Sequence, residues 1–547
     1  MPTNTTAYED ACREIADAVA ERRINSPESL NKLKKEVSKK YGLRGVPRNS
    51  EVLRLNQNLK ERLKERLKER LRRKRMRTAS GVAPVAVMTS PYPCPHGKCA
   101  VCPGGPFSEF GSPQSYVGRE PAAVRAAQHR FDPYEQVKAR LRQLAEIGHD
   151  FGKVELILMG GTLTARPLDY QQWFVSRCLE ALQAFGVRNT GITFETRPDY
   201  ATAGEIDRML EMGATKVELG VQHTSDEILE NIGRGHSVGD SVAANRTARE
   251  SGLKVGFHLM PGLPGSSVEE DKKMFERIFR EPEFKPDYLK IYPTLVVRGT
   301  ELHERWKRGE YEPIREEQAV EIISHAKRII PKWVRIQRIQ RDIPAQFIEA
   351  GVKKSNLRQL VQERLHEEGY KCRCVRCREA GLSQLLDGKI ADEGSVKFLS
   401  ESYEACGGTE YFLSYEDEEK EILVALLRLR FPRECEKRFP CKSESEFECK
   451  SKPHRRAELR DAALVRDLHV FGELTGLGER KAGSWQHRGY GARLLRRAEE
   501  LAQDSGFKKV AVMSGIGVRD YYARFGYRRE GPFVVKNISQ EKITTFI

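Results

Sequence analysis

Two short segments each bring three cysteines close enough along the chain to share one metal centre. The first, CPHGKCAVCPGGP, spaces Cys94, Cys99 and Cys102 as C-x4-C-x2-C. Thiolates are the ligands of iron–sulfur clusters, and three of them within nine residues can wrap one side of a [4Fe–4S] cube. No fourth cysteine follows nearby, so one iron would stay open to a substrate or cofactor. Zinc competes for this reading, because C-x2-C is common in zinc sites. The second segment, KCRCVRCRE, spaces Cys372, Cys374 and Cys377 as C-x-C-x2-C. That spacing suits tetrahedral zinc with a fourth ligand from elsewhere, His366 or Cys406 being the candidates. Lys371, Arg373, Arg376 and Arg378 favour the deprotonated thiols. Free or redox thiols and a second cluster are the alternatives. Cys12 and Cys178 stand alone and read as structural, while Cys406, Cys435, Cys441 and Cys449 are loosely spaced. The twelve cysteines are not spread like a disulfide framework, which favours metal binding in a reducing compartment.

A third pattern is rich in glycine. QHRGYGARLLRRAEELA (486–502) matches the Q/R-x-x-G-x-G/A signature of acetyl-CoA-binding acetyltransferases. Gln486, His487, Arg488, Gly489, Tyr490 and Gly491 form the approach to a helix. The glycines let backbone amides close on a pyrophosphate there, and the helix dipole favours its charge. The strand-like ALVRDLHV before it and KKVAVMSG after it strengthen the match. In the following GVRDYYARFGYRREGP, Tyr521 and Tyr522 stand where such enzymes often place a phenol that protonates the departing thiolate of CoA. At least one of the pair reads equally well as a core aromatic.

These segments need elements to position them. VELILMGG (154–161), GITFETRPD (191–199), KVELGVQ (216–222), KVGFHLMPGLPG (254–265) and YLKIYPTLVV (288–297) read as strands, with helices such as 131–148 between them. This alternation predicts an α/β architecture, a parallel sheet forming a full or partial (β/α) barrel with ligands at the carboxyl ends of its strands. Residues 411–431 read as a hairpin about an acidic turn, and 432–457 as a charged insertion. The expected domains are a basic helical region over 1–80, the barrel over 81–350, a zinc-binding linker over 351–390 and a GNAT-type α/β acetyltransferase domain over 391–547.

The net charge of +16 points to a polyanionic partner. From Lys60 to Arg77 there are eleven Lys and Arg against three Glu, half of that net charge. Leu59, Leu63, Leu67 and Leu71 recur every fourth residue, so one helical face is apolar and the rest cationic. Such a helix docks by its leucines and offers phosphate contacts whose strength falls with salt. The opening MPTNTTAYED lacks a signal pattern and no stretch is apolar enough to cross a bilayer, so a cytoplasmic chain without a membrane partner is expected.

In order along the chain, CxxCPGGP, SYxGxEPAAxRA, RFDPYEQVxxRLxQLxxxGH, MGGTxxxxP, TRPDY, ELGVQ, GFHLMPGLPG, YPTLVxxGTEL and RIQRDIP resemble the catalytic subunit of Elongator, a branch of the radical S-adenosylmethionine enzymes. The superfamily's commonest spacing is C-x3-C-x2-C, from which this chain departs. The resemblance, from about residue 25 onward, implies a [4Fe–4S] cluster whose open iron holds S-adenosylmethionine. It places Gly160, Gly161 and Thr162 along the methionine end and Gly262 and Gly265 on the adenine side. Glu195 and Lys290, charges inside strands, become site candidates, with a structural ion pair as the alternative. The implied reaction forms 5-carboxymethyluridine at the wobble uridine of tRNA. A deoxyadenosyl radical takes hydrogen from the methyl of acetyl-CoA, the carbon radical adds to C5 of uracil, and electron loss and thioester hydrolysis finish the product. A protein lysine acetyltransferase with a structural iron–sulfur domain is the second reading, and a non-catalytic RNA-binding protein the third. Nothing in the sequence requires partner subunits, and a homodimer is left open.

Overall fold

The computed structural model describes residues 5–21, 24, 26–56, 63, 67, 68, 70–72, 74–432, 456–472 and 485–538. Leu59, much of the Lys60–Arg77 stretch, and Cys435, Cys441 and Cys449 of the expected insertion lie outside the described residues.

Seven parallel strands form the first sheet in the order β1 (Ala83–Met88), β2 (Lys153–Met159), β3 (Arg188–Thr196), β4 (Lys216–Gln222), β5 (Lys254–Leu259), β6 (Tyr288–Ile291) and β8 (Arg335–Ile339). It curves into a half-barrel. Outward positions such as Leu156, Ile192, Phe194, Val217 and Phe257 are buried and apolar against the surrounding helices. Their neighbours in the period-two alternation face the lumen. The expected strand over 288–297 is two pieces. Pro293 cannot donate to a ladder, so β6 stops at Ile291. The chain resumes as β7 (Val296–Val297), antiparallel to β9 (Ile348–Ala350) in a separate small sheet.

The second sheet runs β10 (Val396–Ala405), β11 (Gly408–Asp417), β12 (Ile422–Pro432), β13 (Ala462–Val470), β14 (Lys509–Val512), β16 (Phe533–Asn537) and β15 (Arg528–Glu530). The β11–β12 pair turns over the acidic segment Asp417–Glu421 as the sequence predicts. Strand β10 is largely exposed and carries charge on both faces, so its strand character is hidden in the sequence. Only β13 and β14 pair in parallel, from Ala462↔Lys509 to Val465↔Val512. Beyond that point β13 continues to Val470 beside β12 while β14 ends, and the sheet forks.

One continuous apolar core joins the two sheets. The second sheet caps the amino ends of the barrel strands. Gly515 and Gly517 lie backbone against backbone on Asn189–Gly191, where any Cβ would collide. Trp333 and Tyr403 stack at 3.9 Å across the same boundary. At its centre Arg249, Arg428, Arg430 and Arg466 surround Asp287 and Glu410, all fully buried; Arg466 contacts Asp287 at 2.8 Å and Glu410 at 2.9 Å. The N-terminal helices Thr5–Ala20, Pro27–Lys40 and Asn49–Leu55 enclose a core of their own, into which Leu67 and Leu71 insert. No helix among the described residues is long and apolar enough to cross a membrane.

Candidate functional site

Two cavities open at opposite ends of the half-barrel. The larger, of about 1110 Å³, lies at the carboxyl ends of the strands and is lined by Cys94, Gly161, Thr162, Glu195 and Lys290. The loop after β1 carries the three cysteines. The backbone N–H of Ala100 donates to Ile232 O at 2.9 Å, tying that loop to the rest of the domain. Every sulfur meets a donor or polar group. The Ser115 N–H donates to Cys102 Sγ at 3.1 Å, and the Cys94 sulfur lies 3.5 Å from the Thr162 hydroxyl. The Cys99 sulfur lies 3.1 Å from His96 Nε2 and 3.6 Å from the Arg234 guanidinium. Burial and the charges of Arg197 and Arg234 push His96 down to about 4, so its imidazole is neutral. Donors of this kind stabilise thiolate charge, the state an iron–sulfur cluster requires.

The sulfurs of Cys372, Cys374 and Cys377 all lie within 4.8 Å of one another. One zinc with bonds of about 2.3 Å draws its thiolates together, whereas a multi-iron cube holds them apart. The second trio is thus compact enough for its three sulfurs to share one ion. Beside the second trio the fully buried Lys327 ammonium has no hydrogen-bond partner among the described residues. Hydrogen bonds from Cys372 and Cys377, with a smaller contribution from the Lys327 charge, hold the Cys374 thiol well below its ordinary range, whereas Cys377 is pushed up to about 11. Neither expected fourth ligand joins them. His366 is exposed on the helix Leu357–Glu367, and Cys406 is buried elsewhere, against Asn245 and Glu283.

The glycines divide by position. Gly160 and Gly161 have φ of +124° and +88°. A Cβ at Gly161 would sit 2.9 Å from Gln114, so glycine lets the segment around Ser115 close over the strand end. Gly262 and Gly265 do not line the cavity. They shape the turn after β5, where a Cβ on Gly262 would meet Ile314 at 2.8 Å and one on Gly265 would meet Asn231 at 3.0 Å. Lys290 bridges Glu195 at 2.6 Å and Glu218 at 2.5 Å. Burial alone would lower its ammonium, but those two carboxylates hold it well above the ordinary lysine range. It is a fixed cation rather than a proton acceptor. Glu218 also meets His258 at 3.0 Å, and sequence reading missed both. For Glu218 alone there was a signal, the alternation Lys216, Glu218, Gly220, Gln222, a polar face on an otherwise apolar strand.

The second cavity, about 670 Å³, occupies the fork between β13 and β14 and extends to the floor of the barrel. Gln486, His487, Gly489, Tyr490, Gly491, Tyr521 and Tyr522 all line it. Gly489 (φ +83°) caps the helix Tyr490–Asp504, whose first amides face this space. Arg488 turns aside to pair with Glu393 at 2.8 Å. The side chain of Gln486 accepts from Lys153 at 3.0 Å and so fastens the helix start to the barrel. The two tyrosines differ. The Tyr521 hydroxyl lies so close over Gly491 that a Cβ there would stand 2.6 Å from it. Tyr522 is buried, its ring packed edge-on against Tyr521 and Tyr527. Asp467, also missed in the sequence, sits at the floor, accepting from the Tyr288 hydroxyl at 2.9 Å.

At the mouth of the larger cavity stand Arg77, Arg125 and Arg140. None has an ion-pair partner among the described residues. Burial, then the neighbouring arginines, push Arg125 down to about 10 and Arg140 to about 9.

Comparison with known proteins adds three kinds of likeness. Family profiles match the ELP3 N-terminal domain at residues 8–79, the Radical SAM superfamily at 90–278 and the Radical SAM C-terminal domain at 286–367. The chain is 50% identical over 510 residues to the tRNA uridine(34) acetyltransferase of Methanocaldococcus jannaschii, covering 90% of each chain. It is 40% identical over 564 residues to Elongator complex protein 3 of Schizosaccharomyces pombe, covering 98% of this chain and 100% of that one. Among solved structures, Methanocaldococcus infernus Elp3 with an N-terminal deletion superposes with a TM-score of 0.71 at 46% identity, covering 84% of this chain and 99% of the other.

Proposed function

Because the chain belongs to the Elp3 family, we propose that it modifies the wobble uridine of tRNA, forming 5-carboxymethyluridine from acetyl-CoA and S-adenosylmethionine. The observation that carries this reading is the pairing of two sites in one rigid frame, a thiolate trio at one end of the half-barrel and an acetyltransferase fork at the other. When bound, the cluster and S-adenosylmethionine supply a one-electron source and a carbon-radical initiator.

The protein's own groups do the rest. Cys94, Cys99 and Cys102 hold the cluster, and Thr162 and Gly161 leave room beside it. Gly489, Tyr490 and Gly491 present helix-start amides to the pyrophosphate of CoA. Tyr521 supplies the proton to a departing thiolate, while Tyr522 packs the core. Tyr521→Phe should lower acetyl-CoA hydrolysis about 100-fold or more and Tyr522→Phe should not, as a thiol-release assay would read. Cys372, Cys374 and Cys377 hold a structural zinc; elemental analysis should find about one zinc per chain, lost in Cys374→Ser.

Arg140 is buried and Arg77 and Arg125 half-buried, all without a carboxylate partner among the described residues, and a phosphate beside the target nucleotide would balance their charge. Single-stranded loops expose the flipped base this requires. Arg125→Ala should weaken tRNA binding uniformly across sequences and reduce the slope of log affinity against log salt by about one.

The decisive experiment incubates the anaerobically reconstituted protein with tRNA, S-adenosylmethionine, acetyl-CoA and a reductant, followed by nucleoside mass spectrometry. Carboxymethyluridine is expected. Acetyl transfer to a protein with no modified uridine would favour a lysine acetyltransferase instead.

A further inference from the structure

The two cavities are separated by a single layer of side chains. The upper one reaches down to Glu218 and the lower one reaches up to Glu155. Lys216 spans the gap, 2.7 Å from Glu155 and 3.3 Å from Glu218. Gln337, with its amide turned to suit its neighbours, donates to Glu218 and accepts from Lys216, each at 3.1 Å. Thr193 completes the layer, donating to Glu155 at 2.9 Å.

The interior of a parallel α/β barrel is ordinarily filled by layers of apolar side chains. Here the lumen-facing positions of the layer between the two cavities are Glu155, Thr193, Lys216, Glu218 and Lys290, with Gly191 and Gly256 leaving space between them and apolar Ile157 and Met159 above. Their outward neighbours on the same strands are apolar and fully buried. Polarity is thus confined to the lumen. Burying a run of ion pairs is costly and is weak evidence for stability. The lower cavity is continuous with the β13–β14 fork, where Asp467 and Tyr288 meet below Lys254.

We infer that this lumen is the passage by which the acetyl end of a CoA thioester moves from the fork to the cysteine-side cavity, with Lys216 as its gate. The inference rests on the proposed function, because only a reaction using both sites needs such a passage. The span is modest: four residues from Gly191 to Glu195, about 13 Å at the rise of a strand. A lysine suits the gate, since its ammonium sits on a flexible four-carbon stem and can keep one carboxylate while releasing the other.

The test needs no cluster. Ile157 lines the upper cavity on β2, one lumen-facing position beyond Glu155. Full-length protein carrying Ile157→Cys is treated with bromoacetyl-CoA; the introduced thiolate displaces bromide, a carbon–sulfur bond forms, and peptide mass spectrometry locates the adduct. Labelling is expected, suppressed more than tenfold by excess desulfo-CoA and more than tenfold by adding Thr193→Leu, which narrows the lumen. Calorimetry with CoA checks that each variant is folded and that its fork is intact. Labelling that persists under excess desulfo-CoA arrives through the open mouth and overturns the passage. Absence of labelling in a variant that binds CoA overturns it too. Failure of the unmodified chain to bind CoA would instead overturn the proposed function.

Discussion

Replacing Cys99 with serine should cut modified-uridine formation by more than about a hundredfold while leaving CoA binding unchanged. Groups that merely support a metal ligand typically cost 10- to 100-fold when removed, and loss of the ligand itself exceeds that. Cys99 is buried and held between His96 and Arg234. A serine hydroxyl is a harder, less acidic donor than a thiol and does not carry the charge that these neighbours stabilise. Iron content and visible absorbance after anaerobic reconstitution check the cluster, and nucleoside analysis checks the product. A Cys99→Ser protein that retained both would refute the assignment of this loop. CoA binding should survive because the fork lies at the opposite end of the barrel.

Asp287→Ala should destabilise the fold by about 3–5 kcal/mol, the usual consequence of leaving buried charges without their partner. Asp287 is fully buried and faces Arg466 at 2.8 Å, Arg428 at 3.4 Å and Arg249 at 3.6 Å. Burial pushes its carboxyl up, but the guanidiniums of Arg249, Arg466 and Arg428 outweigh that and hold it far below the usual carboxylate range. Asp467, against Lys254 and Arg428, is likewise lowered to about 2. A depressed carboxylate contributes its stability above its unfolded value, near 3.9, and loses it as pH falls toward the folded value. The two halves should therefore loosen between about pH 4 and pH 2, with a shallower acid dependence in Asp287→Ala. Urea denaturation followed across that range measures both effects. An unchanged midpoint in Asp287→Ala would show that the apolar core alone joins the two sheets.

Much of the architecture was legible because it follows from local periodicity. Strand β4 occupies the predicted residues 216–222, and the hairpin turns at its acidic segment. The failures have local causes as well. Pro293 splits an apolar run into two strands of different sheets, and β10, charged on both faces, lacks the alternation that marks a strand. Of the leucine stripe, Leu67 and Leu71 dock into the N-terminal core, while part of the stretch lies outside the described residues. The site was half legible. The cysteines and the glycine-rich helix start are chemical signals carried by spacing. Glu218 had a local signal in its strand's polar alternation, but His258, Asp467 and the arginine trio are single polar residues scattered over hundreds of positions, and no spacing connects them to it.

Sequence alone determined which groups can do chemistry here: two thiol trios, a glycine-rich helix start, and the strands that carry them. These depend on residues within a few turns of one another. Tertiary structure decided the rest. It drew the sulfurs of Cys372, Cys374 and Cys377 within reach of one ion, and it set the hydroxyl of Tyr521 over the helix start while burying Tyr522. It also placed the acetyltransferase fork beneath the barrel rather than beside its mouth, with a charged lumen between the two sites. The reason is that these features are relations between segments up to several hundred residues apart. Only packing brings such segments together, and the charges of Asp287, Lys216 and Glu218 acquire their meaning from partners that local pattern does not reveal.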